Sequence, residues 1–390
     1  MWKALTRNGI KPKAFLDSSP RFADKKIRGL DVHHPDKILN EPGAADKVFI
    51  ITASGHWEDQ LTNGCCRAGL TCGRDFLSFN DLVPIQPAIE ISGVCNLRCQ
   101  GCPRGNMTAH PPAGFMSAAT YALVLDKLLK EIPLLGSVQL YTWGEPLLNR
   151  EYYDILAETR RRDVLSVIST NLNLKLDIQR FVASGPGLVR LSASGWGKNY
   201  EMTHTGGSWD LFAANFKALA RERREQNADF EVELYYHLYR HNRQDDYQRL
   251  KDMAEEAGFV FRPILGSLYP WDNIFKIING EELTETAVKH QELLLAPIDG
   301  VIKEARKTSA ERPCTQVRCF PINWDLTVLG CGGWYLPRLA DNFLNTPLKE
   351  LIKAKADSAL CRRCANLAIH KINFTYMEDQ ASLNQSPEGR

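Results

Sequence analysis

The chain has 390 residues, 44% hydrophobic and 24% charged, which predicts a folded protein of two or three domains and excludes a disordered or fibrous one. Its 48 basic and 46 acidic residues leave a net charge of +2, so nothing in the composition points to nucleic acid or an anionic membrane as a partner. No apolar run is long enough to span a bilayer and Met1-Trp2-Lys3-Ala4-Leu5-Thr6-Arg7 is not patterned as a signal peptide, so a cytoplasmic protein is expected.

Residues 1–82 read as a small Rossmann-like α/β unit. Strands are predicted over Lys13–Asp17 and Lys47–Thr52, a helix over Trp57–Ala68, and a short apolar stretch over Phe76–Phe79. No glycine-rich turn follows a first strand, so docking is expected of this unit in place of nucleotide binding. Residues 83–268 alternate between the two periodicities. Strands are predicted at Ala88–Ser92, Ser137–Thr142, Leu165–Thr170, Val189–Ala193, Phe230–Leu238 and Phe259–Ile264, with helices over Ala118–Glu131, Leu211–Glu225 and Asp245–Ala257. Such a series of βα units implies a parallel sheet, open or partly closed into a barrel, with ligands beyond the carboxyl ends of its strands. Residues 269–313 read as a helical connector, 314–377 as a short cysteine-bearing module, and 378–390 as a polar, disordered tail.

Eleven cysteines fall in three groups: Cys65, Cys66 and Cys72; Cys95, Cys99 and Cys102; and Cys314, Cys319, Cys331, Cys361 and Cys364. In a reducing compartment such grouping favours metal binding over disulfides, and it suggests two metal sites flanking the βα body. The middle group lies just after the first body strand, as Cys95-Asn96-Leu97-Arg98-Cys99-Gln100-Gly101-Cys102-Pro103. Thiolates are soft donors suited to iron–sulfur clusters, and a compact loop can place three of them around one cube. Three protein ligands on four irons leave one iron open to a small chelating molecule. The alternative, a structural zinc site, calls for a fourth ligand that the neighbouring sequence lacks.

A Cys-x-x-x-Cys-x-x-Cys loop at this place resembles the signature of the radical S-adenosylmethionine (SAM) superfamily, in its SPASM/twitch subgroup. The resemblance implies a partial (β/α)6 barrel and a [4Fe–4S] cluster whose open iron binds the amino and carboxylate groups of SAM. It also implies reductive cleavage of SAM to a 5′-deoxyadenosyl radical that takes a hydrogen atom from the substrate. Tyr141-Thr142-Trp143-Gly144-Glu145-Pro146 resembles the family motif that binds the SAM amino group, which assigns Gly144, Glu145 and Pro146 to the cofactor. Thr170 and Asn171 at the end of the third strand, and Ser192 and Ser194 at the end of the fourth, resemble segments that contact SAM. Ser194 to Tyr200 with His204-Thr205-Gly206-Gly207, and Tyr235 to Asn242, resemble members that modify carbohydrates or antibiotics, although Thr205 stands where a basic residue is usual.

The C-terminal module resembles a twitch domain, which implies a second, auxiliary [4Fe–4S] cluster. The expected ligands are Cys314, Cys331, Cys361 and Cys364, leaving Cys319 as a spare thiol or an alternative ligand. Leu326 occupies the usual glycine position of the hairpin. A zinc knuckle is the competing reading of these thiols. Three radical outcomes are compatible with the motifs: epimerisation with a thiol such as Cys319 returning hydrogen, dehydrogenation with the auxiliary cluster accepting an electron, or peptide maturation. A carbohydrate epimerase is favoured, acting on a sugar-containing small molecule or oligosaccharide, with flavodoxin or ferredoxin as electron donor and neither nucleic acid nor membrane as partner. The non-enzyme alternative is a zinc-bearing binding protein.

Overall fold

The computed structural model describes residues 1–19, 22, 25–41, 43–52, 56–107, 113–307, 314–332 and 338–372, so the tail predicted over 378–390 lies outside the described residues. The chain divides into two units, Met1–Ile85 with Asp126–Gly136, and Gln86–Leu125 with Ser137–Arg390.

In the first unit the strands are short: β1 (Phe15–Leu16), β2 (Lys26–Ile27), β3 (Leu30–His33), β4 (Phe49–Ile51) and β5 (Phe76–Ser78). They form a three-stranded sheet in the order β1-β3-β2 and a separate parallel pair, β4 with β5. The helix His56–Arg67 connects that pair, and Leu39, Ile51, Cys65, Leu70 and Phe76 make its core. This corrects the Rossmann-like expectation. The chain breaks after β3 into the helix Pro35–Leu39 and a left-handed turn at Gly43, and strands of two to four residues offer too few ladder bonds to extend one common sheet.

The second unit is built on a nine-stranded sheet. Its body strands are β6 (Gln86–Ile89), β7 (Ser137–Gln139), β8 (Leu165–Thr170), β9 (Leu188–Ala193), β10 (Glu231–Leu238) and β11 (Val260–Leu265). Three further strands follow: β12 (Cys319–Ile322), β13 (Val328–Leu329) and β14 (Arg338–Ala340). The order is β11-β10-β9-β8-β7-β6-β12-β13-β14, and β6 to β11 are parallel to their neighbours. Each predicted body strand is present within a few residues of its expected bounds. The connecting helices bury one stripe each. In Trp209–Glu225, Trp209, Phe212, Phe216 and Leu219 recur at helical spacing and are buried, and the Ser208 hydroxyl caps the start by accepting from the Leu211 amide. Each fully buried aromatic of that stripe contributes about 1.5–3 kcal/mol.

The C-terminal strands continue this same sheet. β12 runs parallel to β6 with Cys319 level with Gln86 and Ile322 level with Ile89, and the Glu90 amide donates to the Ile322 carbonyl. β13 and β14 return antiparallel. Connector helices Asp272–Asn279 and Ile298–Lys307 share one core with Cys331, Cys364, Ile369 and Ile372, through Trp271, Ile274, Ile298 and Ile302.

Candidate functional site

The Cys95 loop leaves the carboxyl end of β6, and the ends of β7 and β8 meet it there. Val94 accepts from the Glu145 amide at 2.8 Å, joining the cysteine loop to the Gly144-Glu145-Pro146 turn. A Cβ on Gly144 would lie 1.8 Å from the Ser92 carbonyl oxygen, so only glycine lets the two backbones approach this closely. Gly105 plays the same part after the third cysteine, where a Cβ would lie 2.2 Å from the Cys99 carbonyl oxygen.

Asparagines brace the loop against β8. Asn171 Nδ2 lies 3.7 Å from Cys95 Sγ and donates to Asn96 Oδ1 at 3.0 Å, and Asn96 Nδ2 donates to the Asn173 carbonyl at 2.7 Å. The Arg98 amide donates to the Thr205 carbonyl at 2.9 Å, so the backbone at Thr205 holds the loop whatever its side chain. Glu145 is buried; its carboxylate accepts from the Leu147 amide at 3.1 Å and the Asn171 amide at 2.8 Å. Burial pushes that carboxyl up to about 7, against the pull of these donors. The side chain of Glu145 therefore fixes the turn to β8.

Two residues of the site escaped the sequence reading. Glu90, buried at the end of β6, accepts from the Trp143 amide at 2.9 Å and the Gly144 amide at 2.6 Å. Burial raises its carboxyl, and the Arg104 guanidinium works against that rise. A carboxylate between Ile89 and Ile91, in an otherwise apolar strand, was the available signal. Arg104, two residues beyond Cys102, is itself buried, and among the described residues its Nε and one terminal nitrogen have no hydrogen-bond partner.

The other predicted contacts take specific places. Thr170 Oγ1 accepts from the Leu172 amide at 3.0 Å. Ser192 lies in β9, level with Tyr235 of β10. Ser194 Oγ is buried against Thr203 Oγ1 at 2.5 Å and His204 Nδ1 at 3.1 Å, within the protein's own network. Tyr235 lies 5.0 Å from the Arg190 guanidinium, beside a buried Glu233 that Arg190 and Arg262 both pair. Tyr239 lies within electrostatic reach of Cys99, and its ring meets the His290 imidazole edge-on with centroids 5.5 Å apart. Burial pushes His237 down to about 4 and lowers His290, so both are neutral. Trp143 packs on Tyr269 with ring centroids 5.5 Å apart, and Tyr269 lies within electrostatic reach of Cys331.

The second cysteine group gathers around one buried lysine. Lys355 lies within electrostatic reach of Cys331, Cys319, Cys361 and Cys314, and Cys364 within reach of Cys314 and Cys361. Cys361 and Cys364 sit three apart on the helix Ala359–Asn366, on adjoining turns. This corrects the expectation for Cys319. Because β12 is parallel to β6, Cys319 lies level with Gln86 at the start of the strand, whereas Cys95 lies beyond its end. Its thiol belongs with the other four, near Gly332, and not at the rim as a hydrogen donor. Cys65 is a core residue of the first unit, and Cys66 and Cys72 are exposed there.

Both thiol sets fit iron–sulfur clusters by donor chemistry. Burial pushes Cys102 up to about 12, Cys99 well above its ordinary value and Cys364 to about 12. Thiols so raised are inert as nucleophiles, and a bound cation is what converts them to thiolates. Backbone amides stand ready to support the sulfurs, as Leu97 does for Cys95 at 3.4 Å. Among the described residues no three His, Cys, Asp or Glu side chains gather tightly enough to hold a single metal ion.

No protein-family model and no curated protein matches the chain. Among solved structures it is similar to native anSMEcpe with bound AdoMet, at 16% identity over 74% of this chain and 88% of that one, with a TM-score of 0.49. It is similar to Streptococcus suis SuiB bound to S-adenosylmethionine, at 14% identity over 81% of this chain and 78% of that one, with a TM-score of 0.48. It is also similar to BtrN in complex with AdoMet and 2-DOIA, at 14% identity over 76% of this chain and 90% of that one, with a TM-score of 0.41.

Proposed function

We propose that the chain is a radical SAM enzyme with a partial-barrel body and a twitch-like module, and that it oxidises a neutral, hydroxylated, sugar-like substrate. One observation carries the reading. Cys95, Cys99 and Cys102 share a strand-end rim with Gly144-Glu145-Pro146 and Asn171, although these segments are far apart in sequence.

In this reading Cys95, Cys99 and Cys102 hold three irons of one [4Fe–4S] cluster, and four of the five C-terminal cysteines hold a second. Bound and reduced, the first would supply one-electron cleavage of SAM for hydrogen-atom abstraction from the substrate. The chain's own residues do the positioning. Glu90 holds the Trp143 and Gly144 amides, Glu145 ties the turn to β8, and Thr170, Asn171, Ser192 and Ser194 border the SAM pocket. Trp143, Tyr239 and Tyr269 offer aromatic faces, and neutral His237 and His290 offer hydrogen bonds, which together suit an uncharged polyol ring.

Dehydrogenation replaces epimerisation as the favoured outcome. Epimerisation requires a thiol at the rim, and Cys319 stands with the second group. The substrate would lose two hydrogens and become a carbonyl compound, and the second cluster, held by four of the five C-terminal cysteines, would serve as electron acceptor. Flavodoxin or ferredoxin would supply the electron that reduces the first cluster. No helix among the described residues is long and apolar enough to cross a membrane.

The test is anaerobic reconstitution followed by turnover with SAM, dithionite and a panel of sugars and oligosaccharides. About eight irons per chain, 5′-deoxyadenosine, and a product lighter by two hydrogens are expected. Zinc in place of iron, or no 5′-deoxyadenosine, would sink the reading. A product of unchanged mass carrying one deuterium from heavy water would restore epimerisation.

A further inference from the structure

We infer that Lys355 is the built-in counter-cation of the second cysteine group, a positioning residue that sets the reduction potential of the cluster held there. The inference rests on the two-cluster reading above.

The sequence places Lys355 on the wrong face of its helix. In Leu348–Ala356 the buried positions are Leu348, Leu351 and Lys355, a core stripe with a lysine in its last turn. Lys355 is 4% exposed, whereas Lys353 on the same helix is exposed. Lysine is almost never buried to this degree without a paired charge. Among the described residues no carboxylate forms an ion pair with it. Its Nζ donates to the Gln316 carbonyl at 2.6 Å and the Cys319 carbonyl at 2.5 Å, and lies 4.5 Å from the centre of the Phe320 ring.

Two carbonyls and an aromatic face satisfy part of the ammonium but leave its charge unneutralised, and an ammonium has a third donor to give. An uncompensated buried charge is strongly destabilising. Among the described residues, the groups within electrostatic reach of Lys355 able to supply negative charge are the thiols of Cys331, Cys319, Cys361 and Cys314. They supply it when deprotonated, as metal ligation requires. The pocket is thus incomplete until an anionic thiolate assembly fills it.

The consequence is directional. Reduction adds one negative charge to the assembly, and a fixed cation in a low-dielectric setting stabilises the reduced form more than the oxidised form. Lys355 therefore raises the potential and makes this cluster a better electron acceptor, as dehydrogenation demands.

The experiment uses the full chain reconstituted with iron and sulfide, with Cys95, Cys99 and Cys102 replaced by alanine so that a single cluster is titrated. Redox titration followed by electron paramagnetic resonance compares this parent with Lys355→Met, Lys355→Arg and the exposed control Lys353→Met. Lys355→Met is expected to shift the reduction equilibrium at least tenfold toward the oxidised form, about 59 mV for a one-electron couple, with Lys355→Arg and Lys353→Met close to the parent. Loss of iron in Lys355→Met with retention in Lys355→Arg also supports the role. An unmoved potential in a fully loaded Lys355→Met, or equal iron loss in Lys355→Met and Lys355→Arg, overturns it. A parent that assembles no iron–sulfur cluster overturns the two-cluster reading beneath it, a result distinct from either.

Discussion

At the residue scale the site is defined as much by what a position excludes as by what it offers. Gly144 is the sharpest case. A methyl group there collides with a backbone carbonyl, which cannot rotate away as a side chain would. Gly144→Ala should displace the Cys95 loop and reduce reconstituted iron from about eight to about four per chain, with far-UV circular dichroism unchanged. Glu90 makes the complementary point. Glu90→Ala leaves two part-buried amides without their acceptor, a loss of about 2 kcal/mol that urea denaturation would read, and Glu90→Gln should recover part of it by keeping one oxygen. His204 shows how burial sets pH behaviour. Burial pushes its imidazole down to about 3, so the folded state binds fewer protons than the unfolded chain, whose histidine titrates near its ordinary value. The associated stability is present above that value and is lost as pH falls below it. Between pH 7 and pH 5 the iron-free protein should lose about 2 kcal/mol more than its His204→Gln variant, and parallel slopes in the two would refute the assignment.

At the scale of elements, the strands and helices of the βα body were legible because their periodicities are long and clean. Leu165–Thr170 was read to the residue, and β6, β9, β10 and β11 to within a few residues. In the first unit β2 and β3 gave no signal, because strands of two to four residues carry too little of a period to be recognised. The C-terminal hairpin gave a clear local signal. Leu326 stands where glycine is usual, and its backbone takes the left-handed conformation, φ +71°, that glycine accommodates without strain. The turn is held by Asn323 and Asp325: the Asn323 amide donates to the Thr327 carbonyl, and the Thr327 amide and hydroxyl donate to Asp325 Oδ1. Leu326→Gly should therefore stabilise the protein by roughly 0.5 kcal/mol, the strain relieved less the lost burial and added chain entropy. A fall in melting temperature would contradict this.

At the scale of the second unit, the two cysteine groups are embedded differently. The triplet rides on a loop braced by hydrogen bonds, whereas Cys331 and Cys364 belong to the hydrophobic core that also holds the connector helices. Metal bound there is coupled to folding. Removing iron with a chelator should speed amide hydrogen exchange in Asp272–Asn279 and Ile298–Lys307 while leaving Trp209–Glu225 protected. Uniform deprotection, or none, would argue that the second cluster is not part of that core.

The grouping of the thiols is written in the sequence. Cys95, Cys99 and Cys102 lie within eight residues of chain, and Cys361 and Cys364 within four, so local spacing alone brings each set of thiols together. The sequence by itself also determined the serial βα body, since each element declares itself within one window of chain. Tertiary structure alone decided which distant residues complete the sites. Glu90 reaches the Trp143 and Gly144 amides only because β6 and β7 are neighbours. Lys355 enters the thiol group only because its helix buries the 348/351/355 stripe. Cys319 moves from donor to cluster group only through the register of β12 on β6. Pairing register and helix facing are set by packing between segments from tens to more than two hundred residues apart, and no local pattern of residues encodes that.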